Sequence, residues 1–140
     1  MSSKIYKVPV LGPPYTGKTQ FCYFVEQGLS NFKREKLYSE PLGPNSYNIK
    51  RCDINLELID SPLSSGCEYN NEINLEKMVN YLKEKKEIDH ILLILKFGKR
   101  LTSDVKNYFN LLAKIFTPSE FFNHLTIIFT QLQIQTKKKK

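Results

Sequence analysis

Short apolar runs alternate along this chain with longer stretches in which apolar residues recur at helical spacing. Continuous apolar runs are typical of strands buried on both faces of a parallel sheet, and recurrence every three or four residues indicates an amphipathic helix. The predicted strands are Lys4–Leu11, Ser46–Cys52, Asn55–Ile59, His90–Leu95 and Leu125–Phe129. The predicted helices are Lys18–Phe32, Glu72–Lys86 and Ser103–Phe116. This order predicts a three-layer α/β fold, with a mostly parallel sheet between two layers of helices.

The alternation continues without an internal repeat, so we predict one domain over residues 1–131 and a polar, basic tail over residues 132–140. With 140 residues the chain is long enough to bury one core. The net charge is +7, of which the tail contributes four, so the domain itself carries +3. The four charges of the tail are Lys137, Lys138, Lys139 and Lys140. Such a run is most often a solvated end, and weak contact with an anionic surface is the alternative.

The cysteines and the apolar runs indicate the compartment. Cys22, Cys52 and Cys67 are odd in number and widely spaced, which disfavours a disulfide framework or a zinc site and fits a reducing environment. The first residues lack the apolar core of a signal peptide. The longest aliphatic run, Ile91–Leu95, is far shorter than a membrane span. We therefore expect a cytoplasmic protein, peripheral to membranes at most, and no specific contact with nucleic acid.

The stretch Gly12–Thr19, GPPYTGKT, fits the phosphate-binding pattern G-x-x-x-x-G-K-[ST]. It lies between a predicted strand and a predicted helix, the context that this motif requires. Backbone N–H groups of such a loop surround phosphate oxygens, and the helix that follows adds the positive end of its dipole. Pro13 and Pro14 have no N–H, so we expect the donors to lie between Tyr15 and Thr19. The candidate nucleotide-binding residues are Gly12, Tyr15, Thr16, Gly17, Lys18, Thr19 and Gln20.

Three residues have particular expected roles. Lys18 reaches the outer phosphates, and the Thr19 hydroxyl is a ligand of Mg²⁺. Asp60 ends a predicted strand, at the edge of an α/β sheet where ligands gather, and is the second candidate Mg²⁺ ligand. Tyr15 occupies a position where glycine is common. A positive φ there would cost on the order of 1–2 kcal/mol.

Four stretches together resemble the AIG-type family of P-loop GTPases, also called IAN or GIMAP proteins. They are GPPYTGKT, LELIDSP, HILLILKFGKRLTSD and IFTPSEFFNHLTIIFT, and the likeness extends over roughly Ile5–Gln131. The resemblance implies GTP or GDP as ligand with Mg²⁺. Phosphate and Mg²⁺ roles would then fall to Gly12, Gly17, Lys18 and Thr19, and a Mg²⁺-linked role to Asp60. It also implies self-association coupled to the nucleotide state.

The chain departs from that family at several positions. Leu63 stands where GTPases have the glycine of Asp-x-x-Gly, and Ser39 and Ser46 are the nearby hydroxyl residues that could replace a switch threonine. No acidic residue follows Thr130, where the family has an aspartate that reads guanine through paired hydrogen bonds. The sequence stops before the last strand and helices of a complete GTPase domain, so we expect an incomplete domain.

The function predicted from the sequence is Mg²⁺-dependent binding of a guanine nucleotide by a GTPase-like switch or assembly module. We expect slow hydrolysis or none, because no residue that would position an attacking water is recognisable, and we assign no catalytic residue. Three alternatives stay open. One is an interaction module that no longer binds nucleotide. The second is an ATP-binding P-loop protein, although that class has two consecutive acids where this chain has Asp60 followed by Ser61. The third is a protein that binds anionic lipid or RNA through Lys137–Lys140.

Overall fold

A computed structural model describes residues 3–13, 15–28, 44–61, 68–98 and 118–131, together with residues 105, 106, 109, 110, 112, 113 and 116. Leu63, Ser39 and the basic tail lie outside the described residues, as does most of the stretch 98–104. The strands are β1 (Ile5–Leu11), β2 (Asn45–Arg51), β3 (Ile54–Asp60), β4 (Ile91–Lys96) and β5 (Leu125–Thr130). The helices are α1 (Lys18–Gln27), α2 (Glu68–Glu84) and α3 (Pro118–Asn123).

The five strands form one sheet in the order β2-β3-β1-β4-β5. Neighbouring strands are parallel except β2, which pairs antiparallel with β3. All five predicted strands are present with boundaries shifted by at most one residue, and the predicted three-layer α/β fold is confirmed. Because β1, β3 and β4 run in the same direction, their carboxyl ends meet at one edge of the sheet.

Two apolar clusters lie on opposite faces of the sheet. On one face α1 packs against β1, β3 and β4, with Cys22 of α1 fully buried. On the other face Met78 and Leu82 of α2 pack against the sheet, together with Leu112 and Phe121. Within the predicted helix Ser103–Phe116, the described residues 105, 106, 109, 110, 112 and 113 are helical. The sheet is therefore covered by helices on both faces.

Helix α1 is shorter than its apolar spacing predicts. It ends at Gln27 rather than Phe32, because Gly28 has a φ of 76° and donates its N–H to the carbonyl of Phe24. A glycine in this conformation ends helices readily, since it has no Cβ to oppose a positive φ. The short helix α3, which begins at Pro118, was not predicted. Proline is well suited to the first position of a helix, where its missing N–H needs no partner.

Pro9 lies in the central strand, although proline is usually confined to sheet edges. Lys7 lies two residues before Pro9 in the same strand. Its backbone N–H donates to the Asp89 carboxylate and its C=O accepts the backbone N–H of Asp89, on the side of β1 where β4 begins. Backbone nitrogens two residues apart in a strand point to the same side, so the Pro9 nitrogen also faces β4. The register of β1 with β4 starts only at Val10. The proline therefore falls where the ladder to β4 has not yet begun, and it still pairs with Ile59 of β3.

A partly buried polar network joins α2 to the sheet. Glu57 of β3 accepts hydrogen bonds from the Ser46 hydroxyl (2.7 Å) and the Lys85 ammonium (2.5 Å). Since the Ser46 proton points to Glu57, the Tyr81 hydroxyl donates to Ser46 at 2.8 Å. Burial alone would raise the pKa of Glu57, but the hydrogen bonds from Lys85 and Ser46 outweigh it and leave that pKa below the usual 4.5.

We predict that Glu57→Gln lowers the free energy of unfolding at pH 7 by roughly 1–3 kcal/mol, as expected for hydrogen bonds to a charged group. A depressed carboxylate pKa stabilises the folded state above the unfolded pKa and loses that effect as the pH falls. Urea unfolding from pH 7 to pH 3 should thus show that the mutant deficit shrinks in acid. Glu76→Gln, on the exposed side of α2, is the control for loss of one carboxylate. A deficit that does not change with pH would contradict the ion-pair explanation.

Candidate functional site

The phosphate-binding motif leaves β1 and turns tightly against β4. Gly12 has a φ of 153°, and a Cβ built on it would lie 2.3 Å from the backbone oxygen of Ile94. That distance is far below any real contact, and a backbone carbonyl inside a sheet cannot move away cheaply. Glycine is therefore required at this position both by its conformation and by the close approach of the two strands.

Hydrogen bonds within the motif fix its shape. The Thr16 hydroxyl and the Lys18 ammonium both donate to the carbonyl of Pro13, each at 2.9 Å. Gly17, with a φ of 89°, precedes the first residue of α1 and accepts the N–H of Phe21. The α1 N-terminus is thus directed into the loop, as anion binding requires. Lys18 is 7% exposed, so its charge is held close to the loop backbone.

Tyr15 has the positive φ that is costly for a residue other than glycine. Its φ is 59°, in the left-handed region, and its side chain is 71% exposed. Two side chains from the end of β5 hold the backbone at this strained residue and at the next one. Thr130 donates its hydroxyl to the carbonyl of Thr16 at 2.5 Å, and Gln131 donates its amide to the carbonyl of Tyr15 at 3.1 Å.

Asp60 lies beside the loop at the end of β3. Its Oδ2 accepts a 2.5 Å hydrogen bond from the Thr19 hydroxyl. The other oxygen, Oδ1, is buried and has no hydrogen-bond partner among the described residues. Burial raises the pKa of Asp60, while the Thr19 hydrogen bond and the Lys18 charge act in the opposite direction. A buried carboxylate oxygen without a partner is unfavourable, and it leaves one ligand position for a water or a cation.

Oxygen atoms are the ligands that Mg²⁺ prefers, and few of them need to come from the protein. Asp60 and Thr19 supply a carboxylate and a hydroxyl that already touch each other. The orphaned Oδ1 therefore fits a cation held between β3 and the start of α1. In the part of the chain that the structure describes, no group of three or more His, Cys, Asp or Glu side chains forms another potential metal centre.

The structure brings most of the predicted site residues together. Gly12 through Gln20, without the undescribed Pro14, form one loop and the first turn of α1, next to Asp60. Ser46, one of the two candidates for a switch hydroxyl, instead forms hydrogen bonds with Glu57 and Tyr81 on the face covered by α2.

Thr130 and Gln131 contact the loop but were not predicted from the sequence as parts of the site. Two polar residues directly after an apolar strand were their only signal.

Comparison with known proteins supports the fold and leaves the family open. No family model and no curated protein matches the chain. The solved structures that match include Toc33 from Arabidopsis thaliana in complex with GDP and Mg²⁺, at a TM-score of 0.67 and 16% identity, over 89% of this chain and 50% of that one. A structure from work on dimerization and GTPase activity of the chloroplast translocon components atToc33 and psToc159 has a TM-score of 0.73 and 19% identity, over 97% and 54% of the chains.

The G domain of the T. maritima FeoB iron transporter matches at a TM-score of 0.52 and 15% identity, over 91% of this chain and 87% of that one. At these identities the likeness concerns the fold, and the fold is that of a P-loop GTPase. The chain spans about half the length of the Toc33 structures. Among the described residues, no helix is long and apolar enough to cross a membrane.

We predict that Gly12→Ala lowers the free energy of unfolding by roughly 1–3 kcal/mol beyond the strain of its φ, because the new Cβ overpacks the β1–β4 contact. Gly98→Ala is the matched control, since Gly98 also has a positive φ, 74°, but no described atom lies within 4 Å of its added Cβ. Urea unfolding of both variants measures the difference. Equal losses for the two would show that the close approach to Ile94 contributes nothing to the requirement for glycine.

We also predict that Asp60→Asn stabilises the chain in metal-free buffer at pH 7. A carboxyl whose folded pKa is raised opposes folding above its unfolded pKa, and this penalty disappears as the pH falls toward 4. The mutant advantage in thermal unfolding should accordingly be largest near neutral pH and vanish in acid. A mutant that is less stable than wild type throughout would show that the Thr19–Asp60 hydrogen bond outweighs the cost of burying the charge.

Proposed function

We propose that this chain binds a purine nucleotide, GTP or GDP, together with Mg²⁺, and that it acts as a GTPase-like switch or assembly module. The observation that carries the proposal is the meeting of Lys18, Thr19 and Asp60 at the carboxyl edge of the sheet. The Thr19 hydroxyl touches the Asp60 carboxylate, whose second oxygen lacks a partner among the described residues. A phosphate-binding loop in this fold, next to a carboxylate so placed, is the arrangement that a Mg²⁺-nucleotide requires.

The loop carries groups of the kind that bind a polyphosphate, namely backbone N–H groups, a helix N-terminus and an ammonium group. The backbone from Tyr15 to Thr19 leads into the N-terminus of α1, where N–H groups and the helix dipole favour anions. The Lys18 ammonium rests on the carbonyl of Pro13, and a phosphate oxygen offers it a stronger, charge-assisted acceptor. Gly12, Gly17 and Gln20 complete the proposed nucleotide-binding set by shaping the loop and the first turn of α1.

Thr19 and Asp60 are the proposed protein contacts of Mg²⁺. The bound ion would neutralise phosphate oxygens by its charge. The Thr19 hydroxyl oxygen would hold the ion through a lone pair while its O–H still donates to Asp60, and the positive charge would offset the cost of burying the Asp60 carboxylate. Toc33, which shares the fold, holds GDP and Mg²⁺ together in its crystal structure, and this is consistent with the proposed pairing.

The proposed module hydrolyses its nucleotide slowly or not at all. Catalysis of phosphoryl transfer depends on positioning and charge stabilisation, and Ser46, a candidate hydroxyl for a switch, is engaged by Glu57 on the opposite face. The AIG-type relationship inferred from the sequence motifs, with its implied self-association, belongs to the same proposal. Contact of Lys137–Lys140 with anionic surfaces, which would place the protein at membranes peripherally, is a separate hypothesis outside the described residues.

Two other functions make different predictions. A nucleotide-free interaction module would explain Tyr15 and Leu63 without any ligand, and it should show no affinity for Mg²⁺-nucleotides. An ATP-binding protein would use the same loop and the same Lys18, and would prefer adenine over guanine.

We predict that the chain binds fluorescent GTP and GDP saturably in Mg²⁺, and that Lys18→Ala weakens binding by about 10- to 100-fold. This range corresponds to the roughly 1.5–3 kcal/mol of a hydrogen bond to a charged group. Removal of Mg²⁺ by EDTA should weaken binding by wild type and change little for Asp60→Asn. Fluorescence titration measures all of these affinities.

Lys50→Ala, on the exposed face of β2, is the control for the loss of one positive charge. It should bind as wild type does, and circular dichroism should confirm that each variant is folded. Absence of binding by folded wild type would exclude nucleotide binding by this chain and favour the interaction module. Equal losses of nucleotide affinity in Lys18→Ala and Lys50→Ala would show that the nucleotide is held by unspecific attraction to positive charge.

A further inference from the structure

A cleft opens beside the phosphate-binding loop, between α1 and the end of β5. It has a volume of about 220 Å³ and is lined by Gly17, Gln20, Phe21, Phe24, Thr130 and Gln131. Gly17 belongs both to this cleft and to the loop. A nucleotide whose phosphates occupy the loop therefore has its nucleoside end within reach of the cleft.

One wall of the cleft is a single face of α1. Gly17, Gln20 and Phe24 follow each other at intervals of three and four residues, so they lie above one another on the helix surface. Phe24 is 36% exposed, and Gly28, which binds its carbonyl, ends the helix just beyond it. An aromatic side chain on a regular helix offers a planar base a fixed surface for stacking.

The opposite wall is fixed to the loop. Thr130 and Gln131 donate to the carbonyls of Thr16 and Tyr15, respectively. One N–H of the Gln131 amide donates to the carbonyl of Tyr15. The amide oxygen of Gln131 is the acceptor that could bind a base. One acceptor is satisfied equally by the exocyclic amino group of adenine or of guanine.

Among the described residues, the polar side chains that line the cleft are neutral, namely Gln20, Thr130 and Gln131. Recognition of guanine by a carboxylate uses two acceptor oxygens against two adjacent N–H groups, and an amide presents one acceptor and one donor group instead. The sequence from Gln131 to Lys140 contains no aspartate or glutamate. The cleft is thus suited to stacking on the ring face of a base, rather than to hydrogen bonds that would recognise the edge of one particular base.

We propose that Phe24 stacks on the nucleobase and that this neutral cleft accepts adenine and guanine nucleotides with similar affinity. The inference rests on the proposed nucleotide-binding function and assigns its base selectivity. The site then takes its affinity from the phosphates, Mg²⁺ and ring stacking, and purine nucleoside triphosphates compete for it according to their concentrations.

The test is calorimetric titration of the full chain in Mg²⁺ with unlabelled GTP, ATP and inorganic tripolyphosphate. Wild type should bind GTP and ATP with dissociation constants within about fivefold of each other. Phe24→Ala should weaken both by roughly tenfold, the effect of losing one base–aromatic stack, and leave tripolyphosphate unchanged. Phe24→Leu keeps an apolar side chain and should show the same pattern, whereas Phe24→Tyr should bind as wild type.

Phe122→Ala is the matched control, because Phe122 is an exposed phenylalanine on α3, 68% accessible, and should alter no affinity. A preference for GTP over ATP, or the reverse, of more than about fivefold overturns the selectivity. Unchanged nucleotide binding in both Phe24→Ala and Phe24→Leu overturns the stacking, as does an equal loss of tripolyphosphate. Failure of the proposed function has a different signature, since wild type would then bind none of the three ligands or would bind them independently of Lys18.

Discussion

Contact between the backbone of Gly12 and the carbonyl of Ile94 sets the position of the whole phosphate-binding loop. No side chain fits between them, since an added Cβ would lie 2.3 Å from that oxygen. The end of β1 therefore lies directly against β4, and the loop leaves the sheet at its carboxyl edge. This contact fixes where the loop begins, and the Pro13 carbonyl and the N-terminus of α1 follow from that point.

A second constraint is the burial of opposite charges at that edge. Lys18 and Asp60 are both nearly inaccessible, and burying unpaired charges is unfavourable. The Lys18 ammonium donates to the carbonyl of Pro13, and its charge acts to lower the pKa of Asp60. Asp60 has a hydroxyl on one oxygen and no described partner on the other. The Asp60 carboxylate is therefore the incompletely satisfied group at this edge among the described residues. If the chain binds nucleotide as proposed, a cation carried by a polyphosphate would supply the contact that this oxygen lacks.

The sequence was sufficient for the sheet and for the loop, because both depend on local patterns. Apolar runs identify buried strands, and the motif itself specifies the turn into α1. The contacts of Thr130 and Gln131 with the loop join residues that are 114 and 116 positions apart. They depend on the register of β5 against β4, which no local pattern encodes. The polar role of Glu57 was hidden for a similar reason, since Ser46 and Lys85 reach it from two other elements. Helix α1 was overestimated because apolar spacing continues past Gly28, where the backbone conformation ends the helix.

The strained Tyr15 shows why β5 belongs to the site. A left-handed, non-glycine residue costs on the order of 1–2 kcal/mol, and an exposed side chain such as that of Tyr15 gains little from burial in return. Two neutral hydrogen bonds contribute roughly 0.5–1.5 kcal/mol each, and β5 provides two, to the carbonyls of Tyr15 and Thr16. Gln131, directly after β5, has a positive φ of its own, 58°. The two contacts therefore offset only part of the combined backbone strain of Tyr15 and Gln131. Neither hydrogen bond involves a ligand, so both support the loop in the ligand-free chain. If the loop binds phosphate as proposed, less of the binding energy is needed to order the loop.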